Sequence, residues 1–131
     1  MNDRYLFRAK RIDTGEWYIG NLVDCPDGRN VIAEVGGNWA LHEVDPSTIC
    51  QYTGLTDKNG NKIWENDIVK LPGLYGNEVG VVEYLGCEFR VRNSAYGSIQ
   101  LCGKVIGNIF DNPELLKGGA EECQNRKQLN T

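Results

Sequence analysis

Residues 49–69, ICQYTGLTDKNGNKIWENDIV, constrain the fold more than any other stretch of this chain. Two short extended runs, 51–55 and 62–64, flank the polar cluster DKNG at residues 57–60. Asn59 and Gly60 can adopt positive φ at low steric cost, so this cluster predicts a chain reversal. A further run rich in β-branched residues begins at Asp67 and predicts a new strand. The stretch therefore marks the junction between two β-rich halves.

Short strands separated by turn residues are predicted on both sides of this junction. Tyr5, Phe7 and Ala9 alternate with basic residues, which predicts a half-buried first strand with an aromatic inner face and a basic outer face. Strands at 16–23, 30–35, 39–44 and 49–52 then complete a β-meander. Five more strands, at 67–71, 78–85, 87–92, 98–102 and 105–110, suit a small, partly open barrel.

The end of the chain departs from this pattern. Asn112, Pro113 and Glu114 read as an N-cap, a first helical residue and an acidic first turn, which predicts a brief helix at 114–117. The predicted organisation is an N-terminal β-rich part at 1–56, a barrel part at 57–116 and a disordered tail at 117–131. No linker rich in Gly, Ser or Pro separates the two parts, so we expect them to pack closely.

Composition and charge restrict the function. The 131 residues are 40% hydrophobic and 24% charged, which is typical of a globular protein. The net charge of −4 argues against nucleic-acid binding by bulk electrostatics. Residues 1–12 carry a local +3, whereas residues 13–70 carry ten acids and four bases, a local −6. This asymmetry favours charge complementarity within the fold or between subunits over a nucleic-acid contact.

Cysteine usage indicates a reducing compartment. The five cysteines include no CxxC motif and no close Cys/His pair, so no structural zinc site is expected. Cys50 and Cys102 lie in apolar runs and are predicted to be small buried residues. The sequence shows neither a signal-peptide pattern nor an apolar run long enough for a membrane span. We therefore expect a cytoplasmic protein with reduced thiols.

Candidate catalytic residues are few. His42 is the only histidine, with Glu43 and Asp45 nearby, but a metal site needs three or four ligands. Glu65 and Asp67 fall on one face of a strand, where acidic residues more often cap turns. No phosphate-binding glycine loop or nucleophile motif is present. The sequence predicts no enzymatic activity, no cofactor and no metal.

Basic and aromatic residues define the candidate binding surface. Four basic residues belong to the first strand or follow it, Tyr75 lies in a glycine-containing loop, and Tyr96 follows two arginines. Small barrels often bind through such aromatic residues beside basic groups. The predicted surface comprises Arg4, Arg8, Lys10, Arg11, Tyr75, Arg90, Arg92 and Tyr96.

Four runs of sequence resemble the YopX family of phage and prophage proteins. They are YLFRAKRIDTGEWYIGNL, VDPSTICQ, YTGLTDKNGNKIWENDIVK and GSIQLCGKVIGNIFDNPELL, which span Tyr5 to about Leu116 in the family's order. The resemblance implies a phage or prophage origin and a β-rich fold whose later half is similar to small SH3-type barrels. It implies no particular activity, cofactor or catalytic residue.

Together these observations predict a mostly-β protein in which an N-terminal β-meander packs closely on a C-terminal SH3-like small barrel that ends in a short helical turn. The predicted function is that of a non-enzymatic phage accessory protein in the bacterial cytoplasm. It would self-associate as a homo-oligomer, with a host or phage protein as a further partner and no membrane contact. The alternative is a nucleic-acid-binding module, with the basic first strand on phosphates and Tyr75 or Tyr96 stacked on bases.

Overall fold

The computed structural model describes residues 5–35, 40–73, 76–93, 97–100 and 103–116. These residues are mostly β-strand, arranged in two antiparallel sheets, with a short helical turn at 114–116. The mostly-β class is therefore confirmed. The chain divides into two compact units, Met1–Leu55 and Thr56–Thr131. The predicted tail at 117–131 lies outside the described residues.

The first sheet has the strand order β4-β3-β2-β1-β5-β6. Its first four strands pair in sequence order, as the predicted meander requires, and β1 also pairs with β5. The strands are β1 (Phe7–Lys10), β2 (Trp17–Asp24), β3 (Asn30–Glu34), β4 (Leu41–Glu43), β5 (Cys50–Thr56) and β6 (Lys62–Trp64).

Alternation along β1 separates a core face from an outer face. Ala9 is fully buried in a cluster with Ile32 and Val44, and Phe7 packs against that cluster. Arg8 and Lys10 point to the opposite side of the sheet, because successive side chains of a strand alternate. Tyr5, which the alternation places on the inner face, is 60% exposed because it precedes the strand. The prediction that Tyr5 belongs to the inner face of the first strand is wrong.

The first sheet curls so that the end of β1 meets the end of β4. Arg11 forms an isolated antiparallel bridge with Val44. The Ile12 N–H donates to the Glu43 carbonyl at 3.0 Å, and the Asp45 N–H donates to the Lys10 carbonyl at 2.9 Å. These bonds satisfy backbone groups that an open edge strand would leave without partners.

A single turn of 3-10 helix, Pro46–Thr48, follows this bridge. Asp45 caps it, because its carboxylate accepts from the Ser47 N–H at 3.0 Å and proline occupies the first turn. The Thr48 hydroxyl accepts from the Lys10 N–H at 2.9 Å and thereby fixes this turn against β1.

Gly20 in β2 marks a close approach of two strands. A Cβ atom at this position would lie 2.0 Å from the Ala33 carbonyl oxygen and 2.8 Å from its carbon. No other residue type fits this backbone without displacing β3.

The second sheet has the order β10-β9-β8-β7-β11, all antiparallel. Its strands are β7 (Asp67–Gly73), β8 (Gly76–Leu85), β9 (Glu88–Asn93), β10 (Gly97–Gln100) and β11 (Lys104–Asn108). Its core cluster consists of Ile63, Val69, Leu71, Val82 and Val91, with Val105 packed against it.

Two turns in the second unit refine the predicted boundaries. Cys87, predicted to begin a strand, lies with Gly86 in the two-residue turn between β8 and β9, and both residues have positive φ. In the 57–60 cluster, Gly60 has a φ of 83°, whereas Asn59 is not among the residues with positive φ. The chain reverses there as predicted.

The Asp57 carboxylate connects the 57–61 turn to β11. It accepts from the N–H groups of Asn59 and Asn61, both at 2.9 Å, and from the Val105 N–H at 3.1 Å. Burial acts to raise the pKa of Asp57, but the hydrogen bonds from the Asn61, Val105 and Asn59 N–H groups outweigh burial and lower it below its ordinary value. Asp57 is therefore an ionised structural residue.

No helix in the described ranges is long and apolar enough to cross a membrane.

Candidate functional site

The eight predicted binding-surface residues do not share one environment. Arg4, Tyr75 and Tyr96 lie outside the described residues. The five that remain occupy three settings: Arg8 and Lys10 on the outer face of the first sheet, Arg11 at the end of β1, and Arg90 and Arg92 on β9. Each setting has its own partners.

Arg8 and Lys10 hold their charges over the indole of Trp17. The Arg8 guanidinium carbon lies 4.7 Å from the ring centroid, and the Lys10 ammonium lies 5.3 Å from it. The register explains this contact, since Lys10 is directly opposite Trp17 in the β1–β2 pair and Arg8 is diagonal to it. Two cation–π contacts on one indole define a compact basic corner, formed by Arg8 and Lys10.

An exposed aliphatic patch adjoins the basic corner on the same face. Ile19 lies directly opposite Arg8 in the β1–β2 register, and the Val35 N–H donates to the Ile19 carbonyl at 3.4 Å. In the β2–β3 and β3–β4 registers, the members of this patch lie around Ala33, which is buried. Its members are Ile19, Val23, Val35 and Leu41, exposed by 43%, 42%, 38% and 69%.

This clustering distinguishes the patch from ordinary surface apolar residues. Single exposed aliphatic side chains are common on proteins, but contiguous ones mark surfaces that contact a partner. The patch members lie on β2, on β4 and at the residue after β3, and alternation places them all on one side of the sheet. The outer face of the first sheet is thus the strongest candidate binding surface in the described part of the chain.

Arg11 belongs to a different group, on the core side of the same sheet. Its Nη1 lies 3.3 Å from His42 Nδ1, and its Nε lies 2.7 Å from the Asp13 carboxylate. The hydrogen bond and the charge of Asp13 raise the pKa of the Arg11 guanidinium. His42 also contacts Glu34 through its Nε2 at 3.1 Å and stacks on Tyr18 with ring centroids 3.7 Å apart. Arg11, Tyr18, Glu34 and His42 form the histidine cluster.

These contacts indicate which ring nitrogen of His42 accepts a hydrogen bond and which donates one. A guanidinium has donors and no acceptor, so His42 Nδ1 must accept from Arg11. Nε2 then carries the proton and donates to the Glu34 carboxylate. This arrangement engages both ring nitrogens within the cluster.

The same geometry limits what His42 can do chemically. Both ring nitrogens are engaged within the cluster, and the residue is 8% exposed. A general base needs a nitrogen that can reach a substrate proton, and here that nitrogen faces Arg11. Among the described residues, no group of three or more His, Cys, Asp or Glu side chains could hold a metal ion. The arrangement suits a structural role.

We expect His42→Ala to destabilise the first unit by about 2 kcal/mol, because it removes a buried ring, a stacking contact and two hydrogen bonds. His42→Phe should recover part of this loss, since a phenyl ring retains the stacking on Tyr18. Urea unfolding followed by near-ultraviolet circular dichroism measures both effects. Equal stability of His42→Ala and the wild type would show that the cluster contributes nothing to the fold.

Arg90 and Arg92 lie on the outer side of the second sheet and have acidic partners. Arg90 Nε donates to the Glu88 carboxylate at 2.7 Å, and Arg92 Nε lies 3.2 Å from the Glu83 carboxylate. Glu83 is directly opposite Arg90 in the β8–β9 register, so both arginines lie close to carboxylates. These ion pairs reduce the positive potential that a phosphate would meet.

Two parts of the site escaped the sequence analysis. The position of Trp17 under Arg8 and Lys10 depends on the β1–β2 register, which the local sequence does not indicate. Glu34 was missed as the partner of His42, whereas its sequence neighbours Glu43 and Asp45 were considered. Strand alternation could have indicated this contact. Ile32 pairs with His42, so the even-numbered residues of β3, including Glu34, lie on the same side of the sheet as His42.

Fold and site together define a two-unit antiparallel β-protein whose candidate site is the aliphatic patch with the adjoining basic corner. The sequence model of the YopX family, described as YopX protein, matches residues 6–117. The chain therefore belongs to the YopX family, as its sequence motifs predicted. A comparison with curated proteins found no significant match.

Proposed function

We propose that this protein is a non-enzymatic accessory protein of a phage or prophage that self-associates through the outer face of its first sheet. The observation that carries the proposal is the aliphatic patch next to the basic corner. Membership in the YopX family supports the phage or prophage origin, and the cytoplasm of the bacterial host is the proposed location. The engaged ring nitrogens of His42 support a role other than catalysis.

The second unit is proposed to be an SH3-like small barrel. Its support is the five-stranded antiparallel order, in which the last strand, β11, returns to pair with the first, β7. A tight two-residue turn joins β8 and β9, as is common in such barrels. The unit would act as the platform for a further partner, a host or phage protein.

A second copy is the proposed occupant of the outer face because this face carries the features of a self-complementary surface. Closed homo-oligomers use the same patch on each subunit, and an aliphatic centre beside charged groups meets that requirement. Exposed Leu41 and Ile19 would be removed from water in such a contact. Burial of the aliphatic side chains would provide affinity, and the charges of the basic corner would favour one orientation of the two copies.

We expect the wild-type protein to form a discrete oligomer whose dissociation constant rises at least about tenfold in Ile19→Ser and in Leu41→Ser. The measurement is light scattering after size exclusion over a range of protein concentrations. Leu85→Ser is the matched control, because Leu85 is 48% exposed and belongs to the second unit. A wild-type protein that stays monomeric throughout contradicts the proposed function.

The second candidate function is nucleic-acid binding, favoured by the two cations held on the face of Trp17. Single-stranded and duplex oligonucleotides are added to the same experiment at low and high salt. If the affinity for oligonucleotides falls steeply with salt and weakens in Arg8→Glu and Lys10→Glu, nucleic-acid binding would replace self-association as the proposed function. An elution profile that does not change when the oligonucleotides are added would contradict nucleic-acid binding.

A further inference from the structure

The turn at residues 57–61 contains the only Asn–Gly dipeptide of the sequence, Asn59–Gly60. Both residues are exposed, and a Cβ atom built on Gly60 would meet no atom of a residue beyond its chain neighbours within 4 Å. Glycine also has no side chain that could hinder the approach of its nitrogen to the preceding carboxamide. The Asn59 side chain is therefore open to solvent beside an unshielded amide nitrogen.

An asparagine followed by glycine can lose its side-chain amide without an enzyme. The Gly60 nitrogen gives up its proton to a base in solution and attacks Cγ of Asn59. The new N–Cγ bond forms, the Cγ–Nδ2 bond breaks, and the released nitrogen takes up a proton and leaves as ammonia. Water then opens the succinimide ring at either carbonyl, which gives aspartate or isoaspartate at residue 59. Either product adds a negative charge, and the reaction needs no oxidant or reductant.

Hydrogen bonds in the folded turn oppose the first step of this reaction. The Gly60 N–H donates to the Asp57 carbonyl at 3.0 Å, so the nitrogen must leave this partner before it can attack. The Asp57 carboxylate accepts from the Asn59 and Asn61 N–H groups, both at 2.9 Å, which holds the backbone on either side of Gly60. This carboxylate is ionised, and its negative charge disfavours a deprotonated amide beside it.

We propose that Asn59 is a site of spontaneous deamidation whose rate is controlled by Asp57. Reaction requires local opening of the 57–61 turn, which the bonds to Asp57 oppose. Isoaspartate adds an atom to the main chain between residues 59 and 60 and thereby displaces the Asn61 N–H from the Asp57 carboxylate. Because that carboxylate also accepts from the Val105 N–H at 3.1 Å, the modification loosens the connection of the turn to β11. It is independent of self-association.

The wild-type protein, incubated at mildly alkaline pH, is expected to convert residue 59 before any other asparagine. Its rate should be about tenfold lower than that of the isolated peptide TDKNGNK, because only the opened turn reacts. Asp57→Ala is expected to raise the rate in the protein about tenfold, since it removes the acceptor that holds the turn. Lys58→Ala, in the same turn, is the matched control and should stay within about twofold of the wild type. Peptide mapping by mass spectrometry measures conversion at each asparagine.

Local control by Asp57 is distinguished from general unfolding in the same digest. A variant that unfolds the second unit would accelerate Asn66 and Asn108 as well, whereas local control accelerates residue 59 alone. Asp57→Asn keeps an oxygen acceptor without the charge, should give a smaller rise, and decides the question if Asp57→Ala is unfolded. An intact Asn59 in the wild type after the peptide has reacted overturns the site. A wild type that reacts as fast as the peptide, or no faster reaction in either variant, overturns the control by Asp57.

The structural consequence has its own measurement. Chromatography separates the isoaspartate form from the aspartate form, and Asn59→Asp provides the aspartate form directly. Exchange of the Val105 amide should be about tenfold faster in the isoaspartate form than in Asn59→Asp, because only isoaspartate lengthens the main chain. Equal exchange in the two forms would overturn the loosening at β11.

Discussion

Gly20→Ala is expected to cost the first unit about 3 kcal/mol, at the upper end of the cost of overpacking a filled interior. A Cβ atom at residue 20 would overlap the Ala33 carbonyl oxygen at 2.0 Å. Backbone atoms of a paired strand cannot move aside as a flexible side chain can. The β2–β3 pairing must therefore open around Gly20 and Glu34, which also displaces Glu34 from His42.

Chemical denaturation gives the free energy of unfolding, and amide hydrogen exchange shows where protection is lost. Protection should fall first in β2 and β3. Asn21→Ala is the matched control, because it changes the adjacent residue of the same strand without adding volume, and it should cost less than about 1 kcal/mol. Equal stabilities of the two variants would show that the strands separate at Gly20 without cost.

Asp57→Ala is expected to lower the thermal midpoint of the second unit by roughly 10 °C. The substitution leaves the N–H groups of Asn59, Asn61 and Val105 without their acceptor, and buried donors without an acceptor are costly. Calorimetry measures the midpoint, and exchange of the Val105 amide reports the connection to β11 directly. Lys58→Ala, in the same turn, serves as the control and should leave both measurements unchanged.

The contribution of Asp57 also depends on pH in a defined direction. Its folded-state pKa is lowered, so its stabilising effect is fully present above the unfolded pKa of about 4 and disappears as the pH falls through the folded pKa. The difference in midpoint between the wild type and Asp57→Ala should therefore narrow between about pH 7 and about pH 3. A constant difference across this range would contradict an ionised Asp57 in the folded protein.

Local patterns were sufficient to predict the strands. Period-two alternation gave the buried and exposed sides of β1, and turn chemistry located the reversal that ends at Gly60. The mistakes arose where the backbone imposed a local requirement. Cys87 alternates with its neighbours as a strand residue would, yet the tight turn after Leu85 takes it into positive φ.

Strand neighbours and sites were harder to predict because they depend on distant pairing. Nothing local to β1 indicates that it lies beside β5, or that β7 lies beside β11. The contact between Arg11 and His42 spans 31 residues and needs the bridge between β1 and β4. The basic corner was predicted as a set of charges, but its location over Trp17 and its separation from Arg11 required the register.

The return of β11 to β7 affects the order in which the protein can form on the ribosome. Pairing among β1 to β4, and of β1 with β5, uses residues 7–56 and becomes available when less than half of the chain has been synthesised. The sheet of the second unit stays incomplete until residues 104–108 emerge. The first unit can therefore fold early, since domains generally fold as units during synthesis. Its outer face would be ready to meet a neighbouring nascent chain before translation ends.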